Sequence, residues 1–174
     1  MPPRSSSGSL ERAALVSLIT GGSPRIDPDL VLEELSGLAA AAGAAVVLRA
    51  VQERPTPDPA TLIRSGKAEQ LTRACDDVEA DLVIVDNDLS PAQGRNLEGI
   101  LKRRVIDRTQ LILDIFARRA RTREGKLQVE LAQLQYLMPR LVGSSAALSR
   151  LGGGIGPGCC RTINRRGRSS SNRR

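Results

Sequence analysis

The six residues Asp81-Leu-Val-Ile-Val-Asp86 constrain the fold most. Four consecutive aliphatic side chains between two carboxylates leave no polar face. Such a run fits a parallel strand buried on both sides, which needs helices above and below it. The preceding sequence supplies the other pieces. Residues 12–19 (RAALVSLI), closed by Thr20-Gly21-Gly22, read as another buried strand. Asp27-Pro28 pairs an N-cap with a first-turn proline. The helix they start runs to about residue 42, with Leu32, Leu35, Leu38 and Ala39 at helical spacing, and Gly43 ends it. Residues 45–51 (AVVLRAV) form a strand, and the three prolines within residues 53–60 predict an extended loop. A helix over residues 66–79 follows, with Leu71 and Val78 inward. Ser90-Pro91-Ala92-Gln93 is a capping box with proline at the first helical position, and its helix runs to about residue 102. Residues 104–107 (RVID) make a short last strand. Strands and helices that alternate in this way predict an α/β domain over residues 11–108. Its four-stranded, mostly parallel sheet is flanked by helices and joined by right-handed crossovers.

After Asp107 the period changes. Leu111, Leu113, Phe116, Ala120, Leu127, Leu131, Leu134, Met138 and Leu141 recur at steps of three, four or seven. This is an amphipathic helical stripe with a heptad character. Thr122 is placed to cap a second segment, so two helices are expected, over 109–120 and 123–142, as a helical arm. Arg123, Glu124, Lys126 and Glu130 give the second a charged outer face. A stripe this long needs a partner helix, and the remaining residues have no apolar periodicity to provide one. Self-association is the expected consequence. Residues 1–10 and the Gly-rich loop and Arg/Ser-rich tail of residues 143–174 are expected to be disordered.

The chain has one Phe, one Tyr and no Trp among 174 residues, so the core must be aliphatic. The absence of His excludes His-based acid/base chemistry, Ser-His triads and His-ligated metals. Three Cys without a C-x-x-C pair point to a reducing compartment. Residues 1–9 do not read as a signal peptide, and no apolar run nears the ~18 residues of a membrane span. A cytoplasmic location is expected.

The net charge of +7 hides a segregation. Residues 1–99 carry 9 Lys/Arg and 15 Asp/Glu, a net of −6. Residues 100–174 carry 17 and 4, a net of +13. A GC-rich genome explains a ratio of 23 Arg to 3 Lys, but it does not explain why the charge is concentrated in one half. A polyanion bound on that side does, and arginine forks onto phosphates and stacks on bases. Arg118, Arg119, Arg121, Arg123 and Lys126 cluster where the two arm helices join, with Arg140 and Arg150 further on. With base-stacking aromatics missing, phosphate and shape contacts are expected to dominate.

Other candidates are weaker. Gly66-Lys67 shares only a dipeptide with the phosphate-binding G-x-x-x-x-G-K-[ST] loop, and neither D-x-x-G nor N-K-x-D occurs. Nucleotide hydrolysis and a bound cofactor are therefore not expected of this chain. Asp86, Asp88 and Asp107 stand at predicted strand C-termini, where acid/base or Mg²⁺ work and ordinary capping are both open. Gly152–Gly156 either cradles a phosphate or is a flexible loop. Cys159-Cys160 has no companion ligands for a metal, and Cys75 reads as core packing.

Several runs resemble the N-terminal region of the HflX family of ribosome-associated GTPases. They are Pro57–Thr61 with Gly66-Lys67, Asp86–Pro91, Asn96–Glu98, and above all Val105–Thr109, Ile112–Ala117 and Arg119–Leu134. Leu137, Pro139–Leu141, Leu148–Arg150 and Gly152–Gly156 continue the likeness. The resemblance implies an α/β domain and two long antiparallel helices joined by a Gly-rich loop. A GTPase domain that takes GTP and Mg²⁺ would follow them. It also implies that the helical region reaches the large ribosomal subunit, in proteins that split or rescue stalled ribosomes. Arg118, Arg119, Arg121, Arg123, Lys126, Arg140, Arg150, Gly152, Gly153 and Gly154 are then the candidate rRNA contacts. From Pro157 the family pattern is expected to be lost, leaving a truncated or out-of-frame tail. Two further readings stay open: a stand-alone α/β domain that binds a nucleotide or another small anion, and a non-functional remnant.

Overall fold

The computed structural model describes residues 10–21 and 27–141. Its elements are β1 (Glu11–Thr20), α1 (Pro28–Ala41), β2 (Ala44–Arg54), α2 (Ser65–Asp77), β3 (Leu82–Val85), α3 (Pro91–Leu101), β4 (Arg104–Asp107), α4 (Arg108–Arg119) and α5 (Arg123–Leu141). The strands form one sheet in the order β2-β1-β3-β4, and every pairing is parallel.

The central strands are buried on both faces, as their unbroken aliphatic runs require. Ala13, Leu15, Leu82, Ile84 and Ile106 face Leu32, Leu35, Ala39, Leu111 and Ile115 of α1 and α4. Ala14, Val16, Val83, Val85 and Val105 face Leu71, Cys75, Leu97 and Leu101 of α2 and α3. The result is a three-layer sandwich with an aliphatic core on each side of the sheet.

Local chemistry sets the helix ends. The Asp27 carboxylate accepts from Asp29 N at 3.0 Å. Ser90 Oγ accepts from Gln93 N at 3.2 Å, and Ser90 N donates to Gln93 Oε1 at 3.0 Å, completing the capping box. Thr122 Oγ1 accepts from Gly125 N at 3.0 Å, so the second arm helix has the expected cap. Gly43 turns the chain from α1 into β2 at φ +77, and the Arg118 guanidinium lies over it. A Cβ at residue 43 would come within 2.4 Å of Arg118 Nη1.

Two expectations change. The third predicted element extends past Val51 to Arg54, because β1 runs to Thr20 and the ladder pairs Gln52, Glu53 and Arg54 with Leu18, Ile19 and Thr20. Backbone pairing continues at an edge strand whatever the side chains' polarity. The apolar stripe over residues 111–141 also does not form one face. Leu111 and Ile115 are buried under the sheet, whereas Leu127, Leu131, Leu134 and Met138 of α5 are exposed. α5 meets α4 through its opposite side, where Gln133 and Tyr136 bond to Asp114 and Asp107. Arg123, Glu124, Lys126 and Glu130 are therefore exposed to solvent along with its leucines. Among the described residues no helix is long and apolar enough to cross a membrane.

Candidate nucleic-acid interface

In a sheet ordered β2-β1-β3-β4 the direction of winding reverses between β1 and β3. The crevice at their C-terminal ends is where open α/β sheets usually take ligands. Asn87 occupies it here. Leu18 N donates to Asn87 Oδ1 at 2.8 Å, and Asn87 Nδ2 donates to Leu18 O at 3.0 Å. The side-chain amide stands in for a backbone partner and extends the ladder beyond β3. The neighbouring carboxylates are engaged as well. Asp86 pairs with Arg108 at 3.0 Å, and Arg108 also reaches Glu34. Asp88 accepts from Thr109 Oγ1 at 2.9 Å. Among the described residues no group of His, Cys, Asp and Glu is placed to hold a metal. This edge is thus built as a joint between elements.

Asp107 is the centre of a second joint. It is fully buried at the end of β4. Its carboxylate caps α4 by accepting from Gln110 N at 2.9 Å, and it accepts from Leu89 N at 3.3 Å. It also pairs with Arg140 at 2.7 Å and accepts from the Tyr136 hydroxyl. Arg140 Nη2 donates to Leu89 O at 2.7 Å as well, and its guanidinium lies 4.3 Å from the centre of the Tyr136 ring. Burial pushes the Tyr136 hydroxyl well above the usual tyrosine range, and the hydrogen bond and charge of Asp107 add to this. One turn earlier, Gln133 Nε2 donates to Asp114 Oδ1 at 3.0 Å. α5 therefore runs back along α4 and is fastened by polar contacts. The sequence reading missed Gln133 and Tyr136. The signal was their spacing with Arg140, at steps of three and four, around the chain's single tyrosine.

The basic cluster stands at the other end of the arm. Arg118 and Arg119 lie in the last turn of α4, Arg121 in the connection, and Arg123 and Lys126 in the first turn of α5; all five are exposed. Among the described residues none of them is in an ion pair with a carboxylate. Arg118 and Arg119 suit the negative end of α4's dipole. Arg123 and Lys126 stand at the positive end of α5's, where cations are disfavoured, with only Glu124 in that first turn to offset them. Phe116, one turn before Arg119, is 55% exposed, so one aromatic does stand beside the cluster, contrary to expectation. The structure brings the first five candidate residues together and separates Arg140, which is turned inward onto Asp107. Arg150, Gly152, Gly153 and Gly154 lie outside the described residues.

Comparison with known proteins places this geometry. Residues 29–117 match the family model described as GTP-binding GTPase N-terminal, and residues 119–171 match GTP-binding GTPase Middle Region. The GTPase HflX of Lacrimispora saccharolytica is 50% identical over 146 residues, covering 84% of this chain and 34% of that protein. The chain belongs to the HflX family. The GTPase HflX of Escherichia coli is 50% identical over 125 residues, covering 72% of this chain and 29% of that protein. The chain thus spans about a third of the length of these curated HflX relatives. A crystal structure of a GTP-binding protein from Sulfolobus solfataricus in complex with GDP superposes with a TM-score of 0.57 at 28% identity. The match covers 76% of this chain and 38% of that one. The boundary between the two family regions falls at residue 118, inside the last turn of α4. The N-terminal match takes in the chain from α1 into the last turn of α4, and the basic turn opens the middle region. The middle-region match runs on to residue 171, past Pro157, where the family pattern was expected to end.

Proposed function

We propose that this chain is the ribosome-binding region of an HflX-type GTP-binding protein, and that its basic α4–α5 turn contacts rRNA of the large subunit. The observation that carries this reading is the cluster Arg118, Arg119, Arg121, Arg123 and Lys126. These side chains are exposed, in no ion pair with a carboxylate among the described residues, and concentrated at one tip of a chain whose first 99 residues are net acidic. The α/β body then positions the tip, and Asp107 fixes the arm that carries it. The Asn87 amide, engaged by the Leu18 backbone at the β1/β3 crevice, speaks against the small-anion reading. GTP binding and hydrolysis belong to the rest of the longer relatives, because no G-x-x-x-x-G-K-[ST], D-x-x-G or N-K-x-D stands in this sequence. The site of action is the cytoplasm, where ribosomes are.

Co-sedimentation of the purified chain with large ribosomal subunits tests this. Binding at low salt that falls steeply as salt rises is expected. Arg119→Glu with Arg121→Glu is expected to weaken binding by at least tenfold and to flatten the salt slope. No binding at low salt, or binding indifferent to the double variant, would refute the reading.

A further inference from the structure

Arg118 differs from the other four cations of the tip, because it has a seat on the α/β body. Gly43 turns the chain from α1 into β2 at φ +77, and the Arg118 guanidinium lies across the place a side chain would take there. A Cβ at residue 43 would overlap Nη1 and stand 3.4 Å from Cζ and 3.6 Å from Nη2. Two features favour this seat. The C-terminal ends of α1 and α4 meet at it, and each carries roughly half an elementary negative charge. α1 has no basic residue in its own last turn, so Arg118 stands as the cation for both ends. The last turn of α4 also has little else to hold it. Ile115 is the last buried residue of that helix, and Phe116, Arg118 and Arg119 are exposed. Helix ends fray, and fraying here would lose the direction in which the following residues point.

We propose that Arg118 is a clasp that fastens the basic tip to the body, with Gly43 as its seat. It is a positioning residue and not a phosphate contact. What this says about rRNA rests on the ribosome reading above; the clasp itself does not. The cations that face RNA then reduce to Arg119, Arg121, Arg123 and Lys126. Among the described residues none of these four is in an ion pair with a carboxylate. The arm is thereby fastened at both ends. Asp107 holds Tyr136 and Arg140 at the far end of α5, and Gly43 holds the last turn of α4 just before α5 begins. A residue of the body, far away in sequence, thus controls the direction of the tip.

A double-mutant cycle on the full chain, free of RNA, decides the clasp. The strain of alanine at a positive φ is the same in both backgrounds and cancels. Arg118→Gln should raise the unfolding equilibrium constant in urea about two- to fivefold, the range for a charge at a helix end. It should have no effect once Gly43→Ala has displaced the guanidinium. Hydrogen exchange in residues 117–126 should quicken in either single variant and no further in the double one. Gly43→Asn, which tolerates this φ better, serves if the alanine chain does not fold. Additive effects of the two substitutions, or unchanged exchange at the tip in Arg118→Gln, would overturn the proposal. Co-sedimentation with large ribosomal subunits across a salt series gives the second reading. Arg118→Gln should weaken binding about threefold through misdirection of the tip and leave the slope of log K against log salt unchanged. Arg121→Gln should reduce that slope by roughly 0.7–0.9, the value for one phosphate. Equal losses of slope in the two variants would make Arg118 a phosphate contact and overturn its role as a clasp. A parent chain that binds no subunits at any salt would refute the ribosome reading, and the cycle would still judge the clasp.

Discussion

α4 and α5 are consecutive helices of similar apolar content, yet they are held in opposite ways. α4 buries Leu111 and Ile115 against the sheet and begins on a buried cap. α5 turns its leucines to solvent and is held on its other side by Gln133, Tyr136 and Arg140. The first is positioned by non-directional burial, which tolerates small shifts. The second is positioned by hydrogen bonds and an ion pair, whose geometry is set at single atoms. The arm is therefore specified more by orientation than by stabilising area. A joint of this kind can fix where a tip of five cations points while leaving a whole apolar face available.

The largest effect expected from this contrast is on α4. Leu111→Ala empties a fully buried site and should cost about 2–5 kcal/mol, read as a lower midpoint in urea with little change in slope. An effect under 1 kcal/mol would mean that the arm, rather than the core, sets the stability of this region. Asp107→Asn should be next. Asn still caps α4, so the substitution acts on the contacts of the other carboxylate oxygen, to Arg140, Tyr136 and Leu89 N. Loss of the charge-assisted bond to Arg140 is expected to cost about 1.5–3 kcal/mol. Hydrogen exchange should quicken in residues 123–141 and stay unchanged in β1 and β3. Uniform loss of protection would show that the arm and body unfold as one unit.

A pH prediction probes the same joint. The hydroxyl of Tyr136 is held neutral by burial and by Asp107, so its folded-state pKa lies above the ordinary value of about 10. A raised pKa stabilises the fold at all pH values below the unfolded pKa. Above about pH 10 the unfolded chain releases a proton that the folded chain retains, so stability falls as pH rises. The chain has only one tyrosine, so phenolate absorbance reports this residue alone. Its midpoint should lie well above 10 and coincide with increased exchange in α5. Asp107→Asn should bring the midpoint down. A midpoint near 10 with the arm still protected would show that the tyrosine is not in the joint.

The body was legible because each strand and cap carried its own local signal. The run of residues 82–85 announced burial on both faces, and Ser90 to Gln93 announced a capping box; both appear as expected. The basic cluster was legible for the same reason, as consecutive charged residues at a helix junction. The direction in which α5 faces was not. Periodicity showed that Leu127, Leu131, Leu134 and Met138 share a side. It could not show which side meets α4, because the competing face is polar and depends on a partner at Asp107 far away in sequence. For that reason sequence alone groups Arg140 with the surface cations, although its charge is opposed by a buried carboxylate. The amide of Asn87, which extends β1 across 69 positions of chain, left no trace in any local pattern.

The smallest expected effect is the sharpest test of the comparison. Leu131→Ala removes the same atoms as Leu111→Ala, but from a side chain 56% exposed in the single chain. At low micromolar or lower concentration its cost in urea unfolding should stay within about 0.5 kcal/mol, the range of ordinary surface substitutions. Loss of a stabilising side chain can hardly be smaller for a leucine in a regular helix, since helix propensity even favours alanine slightly. If paired copies cover the stripe, the cost should grow with protein concentration, whereas that of Leu111→Ala should not. A large cost that persists on dilution would mean that Leu131 is already buried within a single chain. The contrast between the two helices would then disappear.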